Sequence, residues 1–491
     1  MKTPAYDVAI IGNAALGLST AYQLNKADKN LKIGVIGPAD RPFSATTTAG
    51  AMINVWAEIG YDHFGFPALS DKVELGLRAF DMWDPLCAEL SEFSEKPLKV
   101  VWGTYVVNNA RSSGLETKTL DYIVKVMQSG KIPHKDFITD PIPWFNPQYG
   151  SQATRIVHMP DGRIDARLVL AAYDRALAAK GVVPIRSRAV KVDLDITQAQ
   201  TQGKGSAKIT LASGEAVEAK HVVFANGSFA QELIDQIPAI RMHTPRLLWG
   251  AGAAVDLTFP EWIQKGGGLD KRIFDMDQVL RTVDRGGSCG VHMVPQGGGA
   301  YYLGASSGVW FDPEWAPRLH GIHFLLHAAM QEINPAFFYA NMTIRGPGFR
   351  PTTADCFPLL GESHIKGVWF ANGTKRDGFT CSPFLATELA LGILGKRHRL
   401  PYRFRPSRPL LSYKNKALAV EDSLNAAMGG EYQHGLSLPA YALEPYQASK
   451  RAKIQEIYDK RKLNDFGIHP EITHIYENDD TFAAIDLPRE M

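Results

Sequence analysis

The stretch YDVAIIGNAALGLSTAYQL, Tyr6 to Leu24, runs an apolar, β-branched segment straight into small residues and out again at helical spacing. Val8 to Ile11 predicts a strand buried on both faces. Leu18, Ala21 and Tyr22 predict the apolar side of a helix. Between them lies Gly12-Asn13-Ala14-Ala15-Leu16-Gly17, too short for anything but a tight strand-to-helix turn. In such a turn the first glycine makes the bend, the second admits a close ligand and the third lets the helix pack on the strand. Gly12 and Gly17 are in place, while Ala14 adds one methyl at the closest approach. A second strand at Lys32 to Ile36 would complete a βαβ unit. The acidic residue that usually follows the loop by about 20 positions is missing; Gly37 and Pro38 stand there, with Asp40 the nearest carboxylate. Two readings stay open at this point: a dinucleotide diphosphate resting on the helix N-terminus, or a turn whose small residues serve packing alone.

At 491 residues the chain has room for two or three domains. A net charge of +2 argues against nucleic acid or an anionic membrane as the main partner. No uncharged apolar run approaches the roughly 18–20 residues of a spanning helix, and MKTPAYDVAIIG lacks the plan of a secretory signal. Cys87, Cys289, Cys356 and Cys381 are scattered without a CxxC pair, against a zinc site, an iron–sulfur cluster or a disulfide framework. A cytoplasmic, reducing location is the expectation.

Later segments narrow the choice. Gly162 to Ile196 predicts a helix with an apolar face at Leu168, Ala171, Ala172, Leu177 and Ala178, then a strand through Val190. A basic-polar hairpin near Gln198 to Ser206 leads to HVVFANGSFA, a strand with a small-residue turn at Ala225 to Ser228. YYLGASS, Tyr301 to Ser307, follows a glycine turn at 297–299. GPGFRPTTADCFPLLGES precedes GVWFANGTKRDGFTCSPFLATELALGILG, Gly346 to Gly395 overall. The loop Gly12–Gly17, the segment Thr46–Gly50, the Gly162–Ala166 turn, Gly348-Phe349-Arg350-Pro351 with Asp355, and Arg376-Asp377-Gly378 with Pro383 occur in order over residues 5–395. Together they resemble the D-amino-acid oxidase/glycine oxidase superfamily of FAD-dependent oxidoreductases.

The resemblance implies an α/β fold. A discontinuous Rossmann-like FAD-binding domain (1–60, 154–232, 343–396) would interleave with an antiparallel-sheet substrate domain (61–153, 233–342), and a C-terminal extension (397–491) would follow. It implies that Gly12, Ala14, Ala15 and Gly17 hold the diphosphate and that Val190 lies against the adenine. Thr46, Thr47 and Thr48 would pass beside the flavin. Gly227 belongs to the same implied FAD contacts. Arg376, Asp377, Gly378 and Phe379 would cover the pyrimidine end, where a helix dipole favours negative charge. Thr48 and Arg350 stand where relatives attach FAD covalently through histidine or cysteine, so noncovalent FAD is implied; Cys356 is offset from the second place.

The implied chemistry is oxidation of a C–N bond in an amine or amino acid by hydride transfer to flavin N5. The imine would then be hydrolysed, with dioxygen or an electron carrier as acceptor. Arg350 and Arg376 are the candidate carboxylate anchors, the alternative being ion pairs with Asp355 or Asp377; Arg345 reads as structural. Tyr302 falls near the place where sarcosine oxidases carry an oxygen-promoting lysine; strand alternation allows only one of Tyr301 and Tyr302 to face a ligand. Other readings are a flavin subunit of a multi-component dehydrogenase with the extension as docking arm, or a non-catalytic FAD-bound assembly protein.

Among the histidines, His63 and His292 stand apart, and His320, His323 and His327 share a helical face without a carboxylate at metal-ligand spacing. Asp71 to Leu90 reads as one amphipathic helix, with Phe80 and Trp83 in the core. Ile132 to Gly150 reads as a loop at the cavity mouth, and Trp310, Phe311 and Trp315 as one aromatic cluster. The extension, rich in aromatics and leucines, would wrap the catalytic body, mediate a homo-oligomer or dock a partner.

Overall fold

The computed structural model describes residues 4–109, 112–137, 153–195, 207–266, 269, 271–284, 289–433 and 438–485. The opening apolar run forms the strand Ala5–Ile11, and its last four residues are buried because the strand lies inside a sheet. It pairs in parallel with Ile33–Ile36 on one side and Ala216–Phe224 on the other. Val183–Ile185 and Val368–Asn372 extend the parallel array outward, and Leu359–Glu362 closes one edge antiparallel. Ala189–Leu194 and Ala207–Leu211 form an antiparallel pair attached to Ala216–Phe224. Strands from three separate stretches of chain thus share one sheet. The parallel strands bring the turns at 12–14, 37–38, 225–227 and 373–377 to one sheet edge, where α/β sheets bind ligands.

A second, nine-stranded sheet faces that edge. It is antiparallel throughout except where Val279–Thr282 runs parallel to Val101–Asn109. Ala300–Gly304 lies near its middle and shows the period of two: Tyr301 packs with Phe259 and Phe337 in the apolar layer behind the sheet, and Tyr302 points to the other side, against Gly50. A three-stranded sheet of Gly308–Trp310, Leu247–Ala251 and Arg350–Thr353 bridges the two.

The structure moves several expected boundaries. Ala153–Arg163, assigned by sequence largely to the second FAD-binding segment (154–232), pairs with Val101–Asn109 in the nine-stranded sheet. Ile156, Val157 and Met159 bury themselves in that sheet's layers rather than in the parallel one. Met52–Ile53, inside the first segment (1–60), also joins this sheet. The single helix expected at Asp71 to Leu90 is two, Pro67–Phe80 and Trp83–Ser91. Pro85 has no N–H to donate and so suits only a first turn, which starts the second helix. Trp83 is fully buried, and its Nε1 donates to the Thr380 carbonyl. Most of the loop expected at Ile132 to Gly150 and of the hairpin at Gln198 to Ser206 lies outside the described residues.

The extension is docked onto the body. Lys416–Gln433 and Ala440–Lys460 pack against each other, followed by the short turns Pro470–Ile472, Thr473–Glu477 and Asp479–Ile485. Phe404, Tyr458, Ile468 and Tyr476 share one apolar core with Trp83 and Phe357 of the body. Arg408 forms an ion pair with Asp355 in which the two side chains are 1% and 0% exposed. Tyr476 Oη donates to the Ala354 carbonyl. Among the described residues no helix is long and apolar enough to cross a membrane.

Candidate active site

A cavity of about 400 Å³ lies between the parallel sheet edge and the nine-stranded sheet. One end is the opening turn. Gly12 has φ +121°, and a Cβ there would sit 2.3 Å from the Ala225 carbonyl oxygen. A Cβ on Gly17 would fall 1.9 Å from the Gly12 carbonyl oxygen, so Gly17 permits helix-on-strand packing and is not itself on the cavity wall. The first intrahelical bond runs from Leu18 N–H to the Ala14 carbonyl. The N–H groups of Ala15, Leu16 and Gly17 therefore have no partner within the helix. Ala14 caps without a side-chain bond and the first turn carries no acid, which leaves a helix N-terminus suited to an anion. Gly12, Ala14, Ala15 and Gly227 all face the cavity.

Gly37, where the sequence lacks the expected acidic residue, is covered by the Asn13 side chain. A Cβ on Gly37 would meet the Asn13 side chain at 2.5 Å. Asn13 Nδ2 donates to the Pro38 carbonyl at 2.7 Å, and Arg41 Nε donates to the Asn13 carbonyl at 2.7 Å. Val190, expected against the adenine, sits at a bulge between Ala189 and Lys191, and its carbonyl accepts from Gln236 Nε2. The wall at this strand is made by Arg188 and Ala189.

The other end is built from distant segments. Thr46 and Thr48 line it, but Thr47 turns away: its Oγ1 donates to the Ser44 carbonyl, and its own carbonyl accepts from Arg167 Nε. Asp377 precedes the helix Gly378–Ile393 without capping it by side chain, so a second open N-terminus, at Gly378 and Phe379, faces the cavity. The Asp377 carboxylate pairs with Lys72 at 3.1 Å. Three buried polar atoms on the wall, Ser44 Oγ, Asn54 Oδ1 and Asn226 Oδ1, have no hydrogen-bond partner in the protein. Buried polar groups require partners. The two uncapped helix ends, the glycine turn and these orphaned atoms fit an elongated, polar, anionic ligand of FAD's chemistry.

Charge concentrates at this second end. Arg281, 1% exposed, donates to Glu58 Oε1 at 2.6 Å and lies 3.3 Å from Asp284 Oδ1. Arg376 is bonded to Asp284 and lies 3.8 Å from both Glu58 and Glu471. Burial opposes the charge on Glu58, yet Arg281 and Arg376 hold its pKa down to about 2. Burial raises that of Asp284 against the pull of Arg376. Glu58 is presented by a turn whose Val55, Trp56 and Ala57 N–H groups all donate to Asp161. His292 stacks on Tyr302 with ring centroids 5.8 Å apart, and its Nδ1 lies 3.0 Å from the Gly290 carbonyl. Burial, then Arg281, lower its pKa to about 3, so the imidazole is neutral. Burial raises the Tyr302 hydroxyl to about 12.

Arg350 differs from its neighbours. Its Nη2 donates to the Ala251 and Ser306 carbonyls and to Ser307 Oγ, and among the described residues no carboxylate pairs with it. The ion pairs considered for it are not made, because Asp355 is held by Arg408 and Asp377 by Lys72. Arg345 is structural, pairing with Asp256 while stacking over Tyr302 at 4.7 Å. Cys356 is buried away from this cavity, its thiol pushed up to about 12 by burial. The aromatic cluster expected from sequence divides: Trp315 joins Phe43 and Phe349 at the cavity, Trp310 lies under Arg318 beside His474, and Phe311 lies under Arg246. Among the described residues no group of His, Cys, Asp and Glu could hold a metal, the His320–His327 face included.

Glu58, Arg281, Asp284 and Glu471 were not legible as site residues. Arg281 left one trace, a charge inside the apolar strand run Val279-Leu280-Arg281-Thr282-Val283.

Fold and cavity together define a flavoprotein with interleaved nucleotide-binding and substrate-side sheets. The chain belongs to the family of FAD-dependent oxidoreductases whose model, DAO, matches residues 7–391. FAD is its cofactor and it is an enzyme of that family. It is 24% identical over 421 residues to glycine oxidase of Geobacillus kaustophilus (strain HTA426), covering 82% of this chain and 96% of that protein. The crystal structure of glycine oxidase from Geobacillus kaustophilus superposes with a TM-score of 0.67 at 20% identity, over 83% of this chain and 99% of the other. That of iminodiacetate oxidase from Chelativorans sp. BNC1 gives 0.62 at 21% identity, over 81% and 98%. At these identities the solved structures speak for the fold alone.

Proposed function

We propose that the enzyme oxidises the carbon–nitrogen bond of a small amino acid, with Arg350 holding the substrate carboxylate. What supports this reading is the contrast among the cationic side chains around the cavity. Arg281 and Arg376 are ion-paired with carboxylates, whereas the Arg350 guanidinium hydrogen-bonds to neutral carbonyls and a hydroxyl and feels Glu471 only at a distance, leaving its donors for an anionic ligand. Sequence similarity to a glycine oxidase supports the same substrate class. The helix end at Ala14–Gly17 would hold the diphosphate of FAD, and the Thr46–Gly50 segment with the Arg376–Phe379 turn would border the flavin. Bound there, FAD would supply the two-electron acceptor for the carbon bearing nitrogen; the imine so formed would take up water to release ammonia, and dioxygen would take the two electrons and two protons to give hydrogen peroxide.

The chain's own residues orient and desolvate. Arg350 fixes the carboxylate and so the face that the α-carbon presents. Tyr302 and the neutral His292 form a wall that adds no charge where the amine nitrogen must carry a lone pair. Arg376, expected as a second anchor, is saturated by its carboxylates and instead sets the charge at the turn.

Anaerobic titration of the holoenzyme with amino acids and amines tests this, read as bleaching of the flavin absorbance and, in air, as peroxide. Arg350→Ala should raise KM for an amino-acid substrate about 100-fold while changing little for an amine without a carboxylate. An unchanged KM overturns the role of Arg350. Bleaching without peroxide, with fast dye reduction, favours a carrier over dioxygen.

A further inference from the structure

A second chamber of about 140 Å³ lies directly behind the Arg376 turn. Its wall with the first cavity is shared by Glu58, Asp284, Lys375, Arg376 and Asp377. Its far side is supplied by the C-terminal extension, through Tyr413, Lys414, Asp422, His469 and Glu471. None of these five falls within the stretch matched by the family, residues 7–391.

Glu471 contacts the turn itself. Its Oε1 lies 2.8 Å from Lys375 Nζ and 3.8 Å from Arg376 Nη2. The Lys375 and Glu471 side chains are 3% and 4% exposed. Glu471 Oε2 is buried with no protein partner, and a chamber of this size and polarity admits the water that it requires. The turn it grips is unusual in backbone as well: Lys375 has φ +54°, and its N–H donates to the Pro351 carbonyl.

Glu471 supplies one of the carboxylates that offset the cations around this turn. Arg281, Arg376, Lys375 and Lys72 face Glu58, Asp284, Asp377 and Glu471, one carboxylate for each cation. Lys414 is matched within the extension by Asp422 at 2.7 Å. His63 and His469 add no charge, since burial holds the first at a pKa of about 3 and the second well below the ordinary value. Without Glu471 the turn would be more positive by one charge, at a buried place where a charge acts over distance.

We propose that Glu471 is a positioning and charge-setting residue through which the C-terminal extension lowers the electron affinity of the bound flavin. The inference rests on the reading above that the pyrimidine edge of the flavin borders the turn at 375–379. Reduced flavin is anionic at that edge, so a carboxylate that neutralises Lys375 and Arg376 disfavours reduction, and its removal favours it.

The test is Glu471→Gln, which keeps the shape and removes the charge, measured on FAD-loaded protein by sulfite titration and by the flavin midpoint potential. Sulfite affinity tracks positive charge near the flavin and should tighten about tenfold, with a more positive midpoint and FAD affinity within about threefold of wild type. Glu471→Gln combined with Lys375→Met restores the balance and should return sulfite affinity to the wild-type value. Lys375→Met alone should weaken it, which keeps the proposal testable if Glu471→Gln does not fold. Unchanged sulfite affinity in a folded Glu471→Gln holoenzyme overturns the proposal, as does tightening that the double variant fails to reverse. If no amine or amino acid bleaches the wild-type flavin, the proposed reaction falls, while the sulfite series still decides the role of Glu471.

Discussion

The end of the cavity proposed to hold the diphosphate draws chiefly on one contiguous βαβ stretch, Ala5 to Ile36, and works through backbone amides and missing side chains. The end proposed to border the flavin draws on Glu58, Arg281, Asp284, Arg350, Arg376 and Glu471, gathered from five separate parts of the chain, and works through charge. The first is steric and local, so a side chain added at Gly12 decides it. The second is electrostatic and assembled, so single changes shift a balance without abolishing binding.

The sharpest way to break this contrast is at Gly12. Gly12→Val places a branched side chain at φ +121° with its Cβ 2.3 Å from the Ala225 carbonyl oxygen. Strain and overlap together should cost about 3 kcal/mol or more and abolish FAD binding, seen as colourless protein that quenches no flavin fluorescence on titration. A yellow, stable variant would show that the turn tolerates the shift and that steric control is weaker than the geometry implies.

The extension supplies the next largest effect. Arg408→Met leaves the Asp355 carboxylate hydrogen-bonded by Thr353 Oγ1 and by the Phe357 and Leu411 N–H groups but without its counter-ion, in a site where both side chains are fully buried. Breaking such a pair costs about 3–5 kcal/mol. Denaturant unfolding should show that loss, together with faster proteolysis between residues 397 and 412. If the extension were a free docking arm, neither would change.

This division also explains what the sequence revealed. Val8 to Ile11, Gly12, Gly17, the existence of the helix Ala166–Ala179 and the strand ending at Phe224 are legible because local pattern and turn chemistry dictate them. The buried face of that helix is not the expected one: Val169, Leu170, Tyr173 and Ala176 join Ala172 and Leu177 in the core, whereas Ala178 is exposed. The resemblance of Gly348–Pro351 and Arg376–Gly378 located two arginines but not their partners. That Arg376 is quenched and Arg350 is not depends on Asp284, Glu58 and Glu471 arriving from elsewhere. No spacing in the chain encodes that. The strand Ala153–Arg163 falls to the other sheet for the same reason: Ile156 and Val157 are buried on its two faces as a strand of either sheet could be, and only pairing to Val101–Asn109 decides.

Acid separates the two ends at intermediate cost. His292 sits at the flavin end with its pKa lowered to about 3 from 6.5, by burial and then by Arg281. Between those values the unfolded chain takes up a proton that the folded one refuses, so stability is lost as pH falls from 6.5 toward 3. Glu58, held near 2 against 4.5, adds a loss of the same sign below pH 4.5, while burial-raised Asp161, at about 6, works against both. Comparison with His292→Gln isolates one group. Relative to that variant, wild type should lose about 1.4 kcal/mol per pH unit over this range. Parallel pH profiles for the two proteins would mean that His292 titrates normally and faces water.

The smallest effect sharpens the diphosphate end itself, where the acidic anchor is absent. Asn13 occupies the space above Gly37, so Gly37→Glu alone must displace the Asn13 side chain and its bond to the Pro38 carbonyl. FAD affinity should then fall by about fivefold, the worth of one lost hydrogen bond. Adding Asn13→Gly opens the space, and a carboxylate at position 37 should then bind FAD at least as tightly as wild type, by about the same factor in the other direction. Fluorescence titration of the two variants side by side decides it. If the double variant is no better than Gly37→Glu, the ribose does not lie over residue 37, and Asn13 is a packing residue rather than the occupant of the anchor's place.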